Sequence, residues 1–304
     1  MTIKIGTRKS KLAMWQAEFV RDQLQNAGCT AEIFGIETKG DKVLDTSIAK
    51  IGSKGVFTEE LEQMLIDGTV DIAVHSAKDL QSDLGEDFQI IAFSKREEAH
   101  DVIVSQEAVD LTDPTLVLGT SSTRRVALFK RFYPHIRTVD VRGNLQTRIR
   151  KMEEGHCDAL ALAFAGVHRM GYADLIKKQL PFEEFIPAVG QGALAIEAAV
   201  SLDPAKIEKV REAINHKPTE QLLLAERAYL KVLDGGCSIP AFGMAEAAQD
   251  LEISMRGGIV SLDGKTLILK KITGAHPETV GSTLAHEVLD AGGAEILKAI
   301  KEKI

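Results

Sequence analysis

The sequence predicts an α/β protein with two α/β lobes joined by a hinge and a small α+β domain at the C-terminal end. Three observations lead to this fold class. Short β-rich runs, polar turns and amphipathic helices alternate through the first half of the chain. Two irregular segments, predicted to cross between the lobes, interrupt this alternation. From about Lys217 the pattern becomes a helix, several strand-like runs and a closing helix. Alternation of this kind predicts mostly parallel sheets covered by helices on both faces.

Five strand–turn–helix units account for the alternation. The predicted strands are Ile3–Ile5, Val70–Val74, Leu116–Leu118, Thr138–Val141 and Ala159–Leu162. In the first unit, Leu12, Trp15 and Phe19 recur on one face of a helix that Ser10 is placed to cap. Because ligands of such sheets bind beyond the carboxyl ends of the strands, the turns after these strands form the predicted binding surface.

Two segments without periodicity are the predicted crossings between the lobes. Ser94–Asp101 is charged, and Pro187–Ala193 is punctuated by glycines. A pair of crossings suits periplasmic-binding-protein-like lobes that close around a ligand. We therefore expect a first lobe of residues 1–95 and 192–214, a second lobe of residues 96–191, and a C-terminal domain of residues 215–304.

The C-terminal domain is predicted to combine a helix, a small sheet and a closing helix. The first helix carries Leu222, Leu223, Ala225, Leu230 and Val232, the strand-like runs are Leu251–Met255, Ile259–Leu262 and Leu267–Ile272, and the last helix starts at about Thr279. A hairpin turn at Asp263-Gly264 separates the last two runs.

The thiol of Cys237 is the most informative single feature of the chain. It follows Gly235 and Gly236, whose missing side chains let a bulky group approach the sulfur. Most free cysteines are small buried hydrophobes. A thiol on a Gly-Gly loop is instead predicted to be a nucleophile or an attachment point, and the spacing alone leaves these two roles open.

Composition narrows the class of protein. The 304 residues carry a net charge of −7, which argues weakly against nucleic acid as a partner. Cys29, Cys157 and Cys237 are too few and too scattered for a disulfide framework, and no spacing predicts a metal site. The N-terminus lacks the pattern of a signal peptide, and no apolar run reaches the length of a membrane span. We expect a cytoplasmic protein.

Five arginines lie in the predicted turns or in first helical turns, where helix N-termini also favour anions: Arg8, Arg124, Arg125, Arg142 and Arg169. Any one of them could belong to a solvated helix surface. Together they predict a cleft for a substrate with several carboxylates or phosphates.

The run His75–Asp79 follows the second strand and has two interpretations. Ser76 and Asp79 have the spacing of a capping box, which would make Asp79 a helix cap. Alternatively, Asp79 is a carboxylate at the mouth of the cleft that stabilises a cationic intermediate or moves protons. His75 is expected to be a core histidine and Lys78 an anion contact or, less well supported, a Schiff-base lysine. The polar segment Thr38–Phe57 is either a flap or an ordinary surface loop.

Taken together, the motifs resemble the porphobilinogen deaminase, or hydroxymethylbilane synthase, family over nearly the whole chain. The matching segments include Gly6–Ala13, Thr38–Asp41, Lys54–Phe57, His75–Asp79, Gly119–Arg125, Val141–Asn144, Thr147–Arg148, Ala165–Gly166, Arg169–Gly171, Pro187–Leu194, Ala225–Arg227 and Gly235–Cys237. Each is weak alone, but their order and spacing are specific.

The resemblance implies a transferase of tetrapyrrole and haem biosynthesis. Such an enzyme joins four porphobilinogen molecules head to tail, releases ammonia at each step and yields hydroxymethylbilane. It also implies a dipyrromethane primer held covalently, through a thioether, by the residue that matches Cys237. The expected partner is the small-molecule substrate, without nucleic acid or membrane, and the expected state is a monomer.

The resemblance also implies roles for particular residues. Asp79 matches the catalytic aspartate. Besides Cys237 and Asp79, the cofactor-binding positions are Lys78, Ser122, Arg124 and Arg125, and the substrate-binding positions are Arg8, Ser10, Arg142, Arg148, Arg169 and Gln191. Asp41 is expected, like Gln191, to make only supporting contacts. Lys54 and Phe57 match a flap over the cleft.

Some positions depart from the family, and two rival functions stay open from the residues. Gln81 replaces a common proline, Ala99-His100 replaces Pro-Arg before Asp101, and Ser53 replaces a frequent glycine. These departures affect a turn, the hinge and the flap rather than the chemistry.

A two-lobed anion-binding protein without catalysis is the main alternative function, and a cysteine-nucleophile acyl or redox enzyme is the second. Neither alternative predicts a bound pyrrole.

Overall fold

The computed structural model describes residues 1–38, 58–235 and 239–302. In its first part, strands and helices alternate as predicted up to residue 76, after which the short 3-10 turn Ala77–Asp79 and a further strand replace the expected helix. The strands and helices are β1 (Thr2–Arg8), α1 (Lys11–Asn26), β2 (Thr30–Ile36), α2 (Glu59–Ile66), β3 (Ile72–Ser76) and β4 (Phe88–Phe93). Ile3 and Ile5 of β1 are fully buried. Ser10 caps α1, as expected, by accepting a hydrogen bond from the backbone N–H of Ala13 at 3.3 Å.

The middle of the chain repeats the pattern. Its elements are β5 (Asp101–Val104), β6 (Val117–Gly119), α3 (Thr123–Phe132), β7 (Arg137–Val139), α4 (Leu145–Glu153), β8 (Ala159–Ala163), α5 (Phe164–Arg169), β9 (Ile176–Gln179), β10 (Leu194–Ala199) and α6 (Pro204–Ile214). Ser122 and Asn144 cap α3 and α4 with their side-chain oxygens.

The described strands of these two parts form two five-stranded sheets, in the orders β2-β1-β3-β10-β4 and β7-β6-β8-β5-β9. We call each sheet with its helices the first and the second lobe. The predicted α/β class with two lobes is confirmed, and the sheets are mostly parallel as predicted, since four of the five strands in each run in one direction. In the first lobe β10 runs antiparallel to both of its neighbours, and in the second lobe β5 does the same.

The crossings explain the reversed strands. β10 follows the crossing Pro187–Ala193, and its first residue, Leu194, pairs with Ser76 at the end of β3. β5 follows the other crossing, and its first residue, Asp101, pairs with Ala163 at the end of β8. Each crossing therefore delivers the chain to the carboxyl ends of the parallel strands, from which it can only run back. This geometry brings the crossing residues to the edge where the arginine-rich turns lie.

The C-terminal part contains α7 (Lys217–Val232), β11 (Ala241–Ala247), β12 (Ile253–Val260), β13 (Leu267–Gly274), α8 (Pro277–Val288) and α9 (Ala294–Lys301). The three strands form an antiparallel sheet in sequence order. The α+β character and the Asp263-Gly264 turn between the last two strands agree with the prediction. The closing helix is interrupted at Gly292, whose φ of +106° a regular helix does not accommodate.

Two details of the C-terminal sheet differ from the prediction. The runs Leu251–Met255 and Ile259–Leu262 belong largely to one strand, β12, and β11 was not predicted. Gly257 and Gly258 lie inside β12, where large side chains pack directly against the strand. A Cβ on Gly258 would lie 2.8 Å from Cζ of Phe242, and one on Gly257 would lie 3.0 Å from Cζ of Tyr229.

The C-terminal domain packs against both lobes. Phe242 of β11 and Val260 of β12 belong to the same buried cluster as Phe129 and Phe185 of the second lobe. Leu223 of α7 packs with apolar residues of the first lobe. Among the described helices, none combines the length and apolar character of a membrane span.

Candidate active site

A buried carboxylate lies where the first crossing enters the second lobe. Asp101 is completely buried and accepts hydrogen bonds from Nη2 of Arg124 and Nη2 of Arg125, each at 2.7 Å. Burial alone would raise the pKa of Asp101, but the two guanidinium groups and a hydrogen bond from Gln191 hold it well below its usual range. The carboxylate is therefore ionised and fixes two of the predicted cations.

The first turn of α3 supplies both arginines. Ser122 caps this helix and accepts a hydrogen bond from the backbone N–H of Arg125 at 3.4 Å. Nη1 of Arg124 donates to the Ile186 carbonyl at 2.9 Å, and Nη1 of Arg125 donates to the Ala161 carbonyl at 3.3 Å. The Nε atoms of both arginines are buried and have no partner among the described residues. They are spare donors for an anion.

Gln191 connects the second crossing to the same cluster. Its Nε2 donates to the Ala99 carbonyl at 2.6 Å and to Oδ1 of Asp101 at 2.9 Å. Its Oε1 accepts weak hydrogen bonds, each 3.5 Å long, from Nζ of Lys78 and Nη2 of Arg125. One amide thus links Lys78 of the first lobe to Arg125 of the second.

Lys78 and Asp79 occupy a short 3-10 turn at the carboxyl end of β3. The capping-box interpretation of Asp79 is wrong, because Ser76 makes no side-chain cap there and its Oγ accepts a hydrogen bond from Gln16 at 2.8 Å. Asp79 is exposed. Burial lowers the pKa of Lys78 to about 8, with the Asp79 charge opposing that effect and Arg125 adding to it.

A glycine allows the second crossing to approach this turn. Gly190 has a φ of +76°, and a Cβ there would lie 2.8 Å from the Ala77 carbonyl carbon and 2.9 Å from the Lys78 nitrogen. Any side chain at this position would push the crossing away from the Lys78–Asp79 turn. This close approach explains why a glycine occupies position 190 of the crossing.

Two further arginines lie in α4 or just before it. Arg148 donates from Nε to the Gly143 carbonyl at 2.7 Å. Burial lowers the pKa of Arg148 to about 10, helped by the charge of Arg125 and opposed by that of Asp79, so it is still a cation at neutral pH. Arg142 precedes the helix, and its Nε donates to Oδ2 of Asp140 at 2.8 Å.

Arg8, Ser10 and Arg169 lie elsewhere on the edge formed by the strand ends. Arg8 is the last residue of β1, and Ser10 is the cap of α1. Arg169 ends α5 rather than beginning a helix, so the expected place in a first helical turn is wrong. Its Nη2 donates to the Gly192 carbonyl at 2.7 Å, which brings this second-lobe residue to the second crossing.

Several predicted positions lie outside the described residues: Gly236 and Cys237, and the flap and loop positions Asp41, Ser53, Lys54 and Phe57. The segment before Cys237 is described up to Gly235, which follows α7 and whose N–H donates to the Leu230 carbonyl at 3.0 Å.

Sequence reasoning missed the residues that join α7 to the crossings. Glu226 is completely buried and accepts hydrogen bonds from Nη1 of Arg96 at 2.5 Å and from the backbone N–H groups of Gly190 at 2.8 Å and Ala245 at 2.9 Å. The next residue, Arg227, donates to the Gln81 carbonyl at 2.7 Å. The pair Glu226-Arg227 lies in a matched motif, which was the available signal.

His75 has a buried partner, in keeping with its expected place in the core. Its Nε2 lies 3.0 Å from Oε2 of Glu197 on the neighbouring strand β10, and Glu197 is completely buried. The departure His100 is also buried, with its ring 4.8 Å from that of Phe164. Among the described residues, the side chain of neither histidine makes a hydrogen bond to Asp101, Arg124 or Arg125.

Comparison with known proteins decides the family. Residues 3–207 match the family model described as "Porphobilinogen deaminase, dipyromethane cofactor binding domain", and residues 221–290 match "Porphobilinogen deaminase, C-terminal domain". The chain belongs to the porphobilinogen deaminase family. Its family resemblance, read from the motifs, is therefore confirmed.

Individual relatives cover almost the whole chain. The porphobilinogen deaminase of Cytophaga hutchinsonii is 55% identical over 99% of this chain and 97% of its own length. That of Desulfosudis oleivorans is 53% identical over 100% and 99%. A TRAP periplasmic solute binding protein from Desulfovibrio salexigens covers 69% of this chain and 70% of its own at 10% identity, with a TM-score of 0.41, which is a likeness of fold only.

Proposed function

We propose that this chain is a porphobilinogen deaminase that joins porphobilinogen molecules head to tail on a covalent dipyrromethane primer and releases ammonia and hydroxymethylbilane. Membership of the family supports the reaction class. The location of the proposed site rests on one observation: Arg124 and Arg125 are bound to Asp101 of the first crossing, which also accepts a hydrogen bond from Gln191 of the second. This cluster lies where both crossings reach the carboxyl ends of the parallel strands. A pyrrole with acetate and propionate side chains is complementary to such a set of cations.

The donors of the cluster suit a dipyrromethane. Arg124 and Arg125 each retain a buried Nε without a partner among the described residues, and Lys78 makes only a 3.5 Å contact with Gln191. Carboxylates of the primer would satisfy these donors. We propose that Lys78, Ser122, Arg124, Arg125 and Asp79 hold the primer, which is attached to Cys237 through a thioether. When bound, the dipyrromethane supplies the pyrrole to which the first substrate is joined.

The remaining site residues, four arginines and two neutral residues, are proposed to bind the incoming substrate. They are spread over the strand ends of both lobes: Arg8, Ser10, Arg142, Arg148, Arg169 and Gln191. Their distribution supports a site that accepts several carboxylates along a growing chain rather than a single anion. Ser10 and Gln191 contribute neutral hydrogen bonds, while the guanidinium groups offer paired donors to each carboxylate. Lys54 and Phe57 are proposed to cover the site.

Asp79 is proposed to be the catalytic carboxylate. It is exposed, adjoins Lys78 and lies within electrostatic reach of Arg148. Because it is not engaged as a helix cap, it is available to accept or return a proton as ammonia leaves. Its negative charge would also stabilise positive charge on the substrate pyrrole, in a site otherwise dominated by cations.

The architecture supports proposals about organisation. The strands of the two sheets support a first lobe of residues 1–95 and 192–214, a second lobe of residues 96–191 and a C-terminal domain of residues 215–304. Cys29 and Cys157 are both free and buried, which supports a reducing, cytoplasmic location. We further infer a monomer without nucleic-acid or membrane partners. Light scattering on the purified protein measures its mass in solution.

Intact-mass analysis with an ammonia assay tests the function. The purified protein should carry the added mass of a dipyrromethane, and Cys237→Ser should lack it. Cys29→Ser, which changes another thiol, should retain it. The protein should also release ammonia catalytically from porphobilinogen. Active protein without added mass would refute the primer, and binding of porphobilinogen without ammonia release would favour the non-catalytic anion-binding alternative.

A further inference from the structure

One cation of the proposed substrate site lies over an aromatic ring of the opposite lobe. Cζ of Arg169, at the end of α5, is 5.4 Å from the centroid of the Trp15 ring on α1. Helix α1 packs on the first sheet, whereas α5 follows β8 of the second. The contact therefore spans the two lobes. A guanidinium over an indole face is the most favourable common form of cation–π interaction.

Two groups hold the guanidinium from different directions. Nη2 of Arg169 donates to the Gly192 carbonyl of the second crossing, and the indole of Trp15 lies against the group. Burial lowers the pKa of Arg169, and the charge of Glu97 opposes this effect. Among the described residues, no carboxylate makes an ion pair with Arg169 within 4.0 Å. The cation is thus partly desolvated yet not neutralised by a close partner.

The indole itself is held in place. The rings of Trp15 and Phe19 are stacked, with centroids 5.8 Å apart and planes 12° apart. One turn earlier in α1, Leu12 approaches α5 so closely that a Cβ on Gly166 would lie 3.7 Å from its Cδ2. The two helices therefore meet along this line, and the ring has a fixed orientation toward Arg169.

An aromatic partner has a consequence that a carboxylate partner would not have. An aspartate or glutamate would compete with the carboxylates of a substrate for the same N–H groups. A π face attracts the cation while leaving the donors at the edge of the guanidinium available. The indole can therefore orient the arginine without reducing its capacity to bind an anion.

We propose that Trp15 is a positioning residue for substrate binding: it holds Arg169 between the lobes with its donors directed to a substrate carboxylate. The proposal rests on the proposed function, because it takes Arg169 to bind the substrate. It predicts an effect on the binding of porphobilinogen rather than on the chemical step.

A double-mutant cycle tests this role. Trp15→Leu keeps apolar bulk but removes the π face, and we expect it to raise KM for porphobilinogen about tenfold with little change in kcat. Trp15→Phe, which restores a ring, should recover most of the loss. In an Arg169→Gln background, Trp15→Leu should have almost no further effect. Equal effects of Trp15→Leu in both backgrounds would overturn the proposal.

Fluorescence gives a reading that does not depend on activity. Trp15 is the only tryptophan of the chain, so the intrinsic emission reports on this ring alone. Arg169→Gln should change the emission intensity or maximum of the folded protein, whereas Arg150→Gln, on the exposed side of α4, should not. Identical spectra for the wild type and Arg169→Gln would contradict the contact, even if Trp15→Leu failed to fold.

Controls separate this inference from the proposed function. Phe19→Leu removes the neighbouring ring but not the one over Arg169, so it should change KM much less than Trp15→Leu. Thermal unfolding of each variant shows whether the fold is retained. If the wild type releases no ammonia from porphobilinogen, the proposed function fails. If the wild type is active and Trp15→Leu leaves KM unchanged, only the positioning role fails.

Discussion

Oδ2 of Asp101 and Nη2 of Arg124 are joined by a 2.7 Å hydrogen bond with both side chains buried, where the first crossing meets the second lobe. The same carboxylate binds Arg125. The arginine-rich cluster thus contains a permanent anion of its own. Asp101 also stabilises the fold, because the two buried guanidinium groups would repel each other without its negative charge.

The first prediction concerns this carboxylate. Asp101→Asn should lower the free energy of unfolding by about 3–5 kcal/mol, because removing one partner of a buried ion pair leaves the other uncompensated. Urea denaturation at neutral pH measures the difference. Glu107→Gln, at an exposed position of the same lobe, should change it by less than about 0.5 kcal/mol. A similar small change in Asp101→Asn would mean that the cluster contributes little to stability.

The pH dependence of the same comparison follows from the low pKa of Asp101. A carboxyl with a folded-state pKa below its unfolded value, about 3.9, stabilises the fold above that value. The stabilisation is lost as the pH falls below it. The difference between wild type and Asp101→Asn should therefore be constant near neutrality and shrink below pH ~4. A difference that grows in acid would contradict the ionised state.

The second prediction concerns Lys78, whose pKa is lowered to about 8 by burial. Its ammonium is present below that pH and lost above it. Because Lys78 is proposed to hold the primer, kcat for porphobilinogen should fall above pH 8 as this contact weakens. Lys78→Arg keeps its charge and should show a flatter profile. Titration of the substrate affects both enzymes equally. Parallel kcat profiles of the two enzymes would rule out Lys78 as the titrating contact.

The same pKa gives an independent stability test. The folded-state pKa of Lys78 lies below the unfolded value of about 10.4, so between these values the unfolded chain binds more protons. The contribution of Lys78 to the free energy of unfolding should therefore increase as the pH rises through this window. Lys78→Met, which never carries the charge, should lack this increase.

The arginine-rich edge could be predicted from the sequence because it depends on local signals. A strand followed by a turn places its next residues at the carboxyl end of a sheet, whatever the distant partners are. Arg124 and Arg142 are examples. For the same reason Ser10 could be recognised as a cap, since an N-cap interacts with a residue three positions further along the chain.

The counter-charge in the site could not be predicted in this way. Asp101 and Gln191 are far apart in sequence and meet only because both crossings arrive at the same edge. Nothing near Asp101 distinguishes it from a charged hinge residue. The reversed direction of β10 is a long-range property of the same kind.

The third prediction concerns Asp79. Asp79→Asn should lower turnover at least ~10²-fold, the scale expected for the loss of an acid–base or charge-stabilising group. Because the side chain is exposed and caps no helix, the melting temperature and the added mass of the primer should stay unchanged. Asp83→Asn, an exposed aspartate of the same loop, should retain turnover. Near-normal turnover of Asp79→Asn would remove it from the chemistry.

The last prediction separates substrate contacts from surface arginines. Arg142 precedes helix α4 and Arg150 lies within it, but the side chain of Arg142 is 23% exposed and that of Arg150 is 66% exposed. Arg142→Leu should raise KM for porphobilinogen by about tenfold or more, since a charge-assisted hydrogen bond contributes roughly 1.5–3 kcal/mol. Arg150→Leu should leave KM unchanged because it lies on the solvated face. Mass spectrometry of the enzyme mixed with limiting substrate shows which addition step is slowed. Arg142→Leu should accumulate species with fewer added pyrroles than the wild type. Equal distributions in Arg142→Leu and Arg150→Leu would mean that Arg142 is a surface residue.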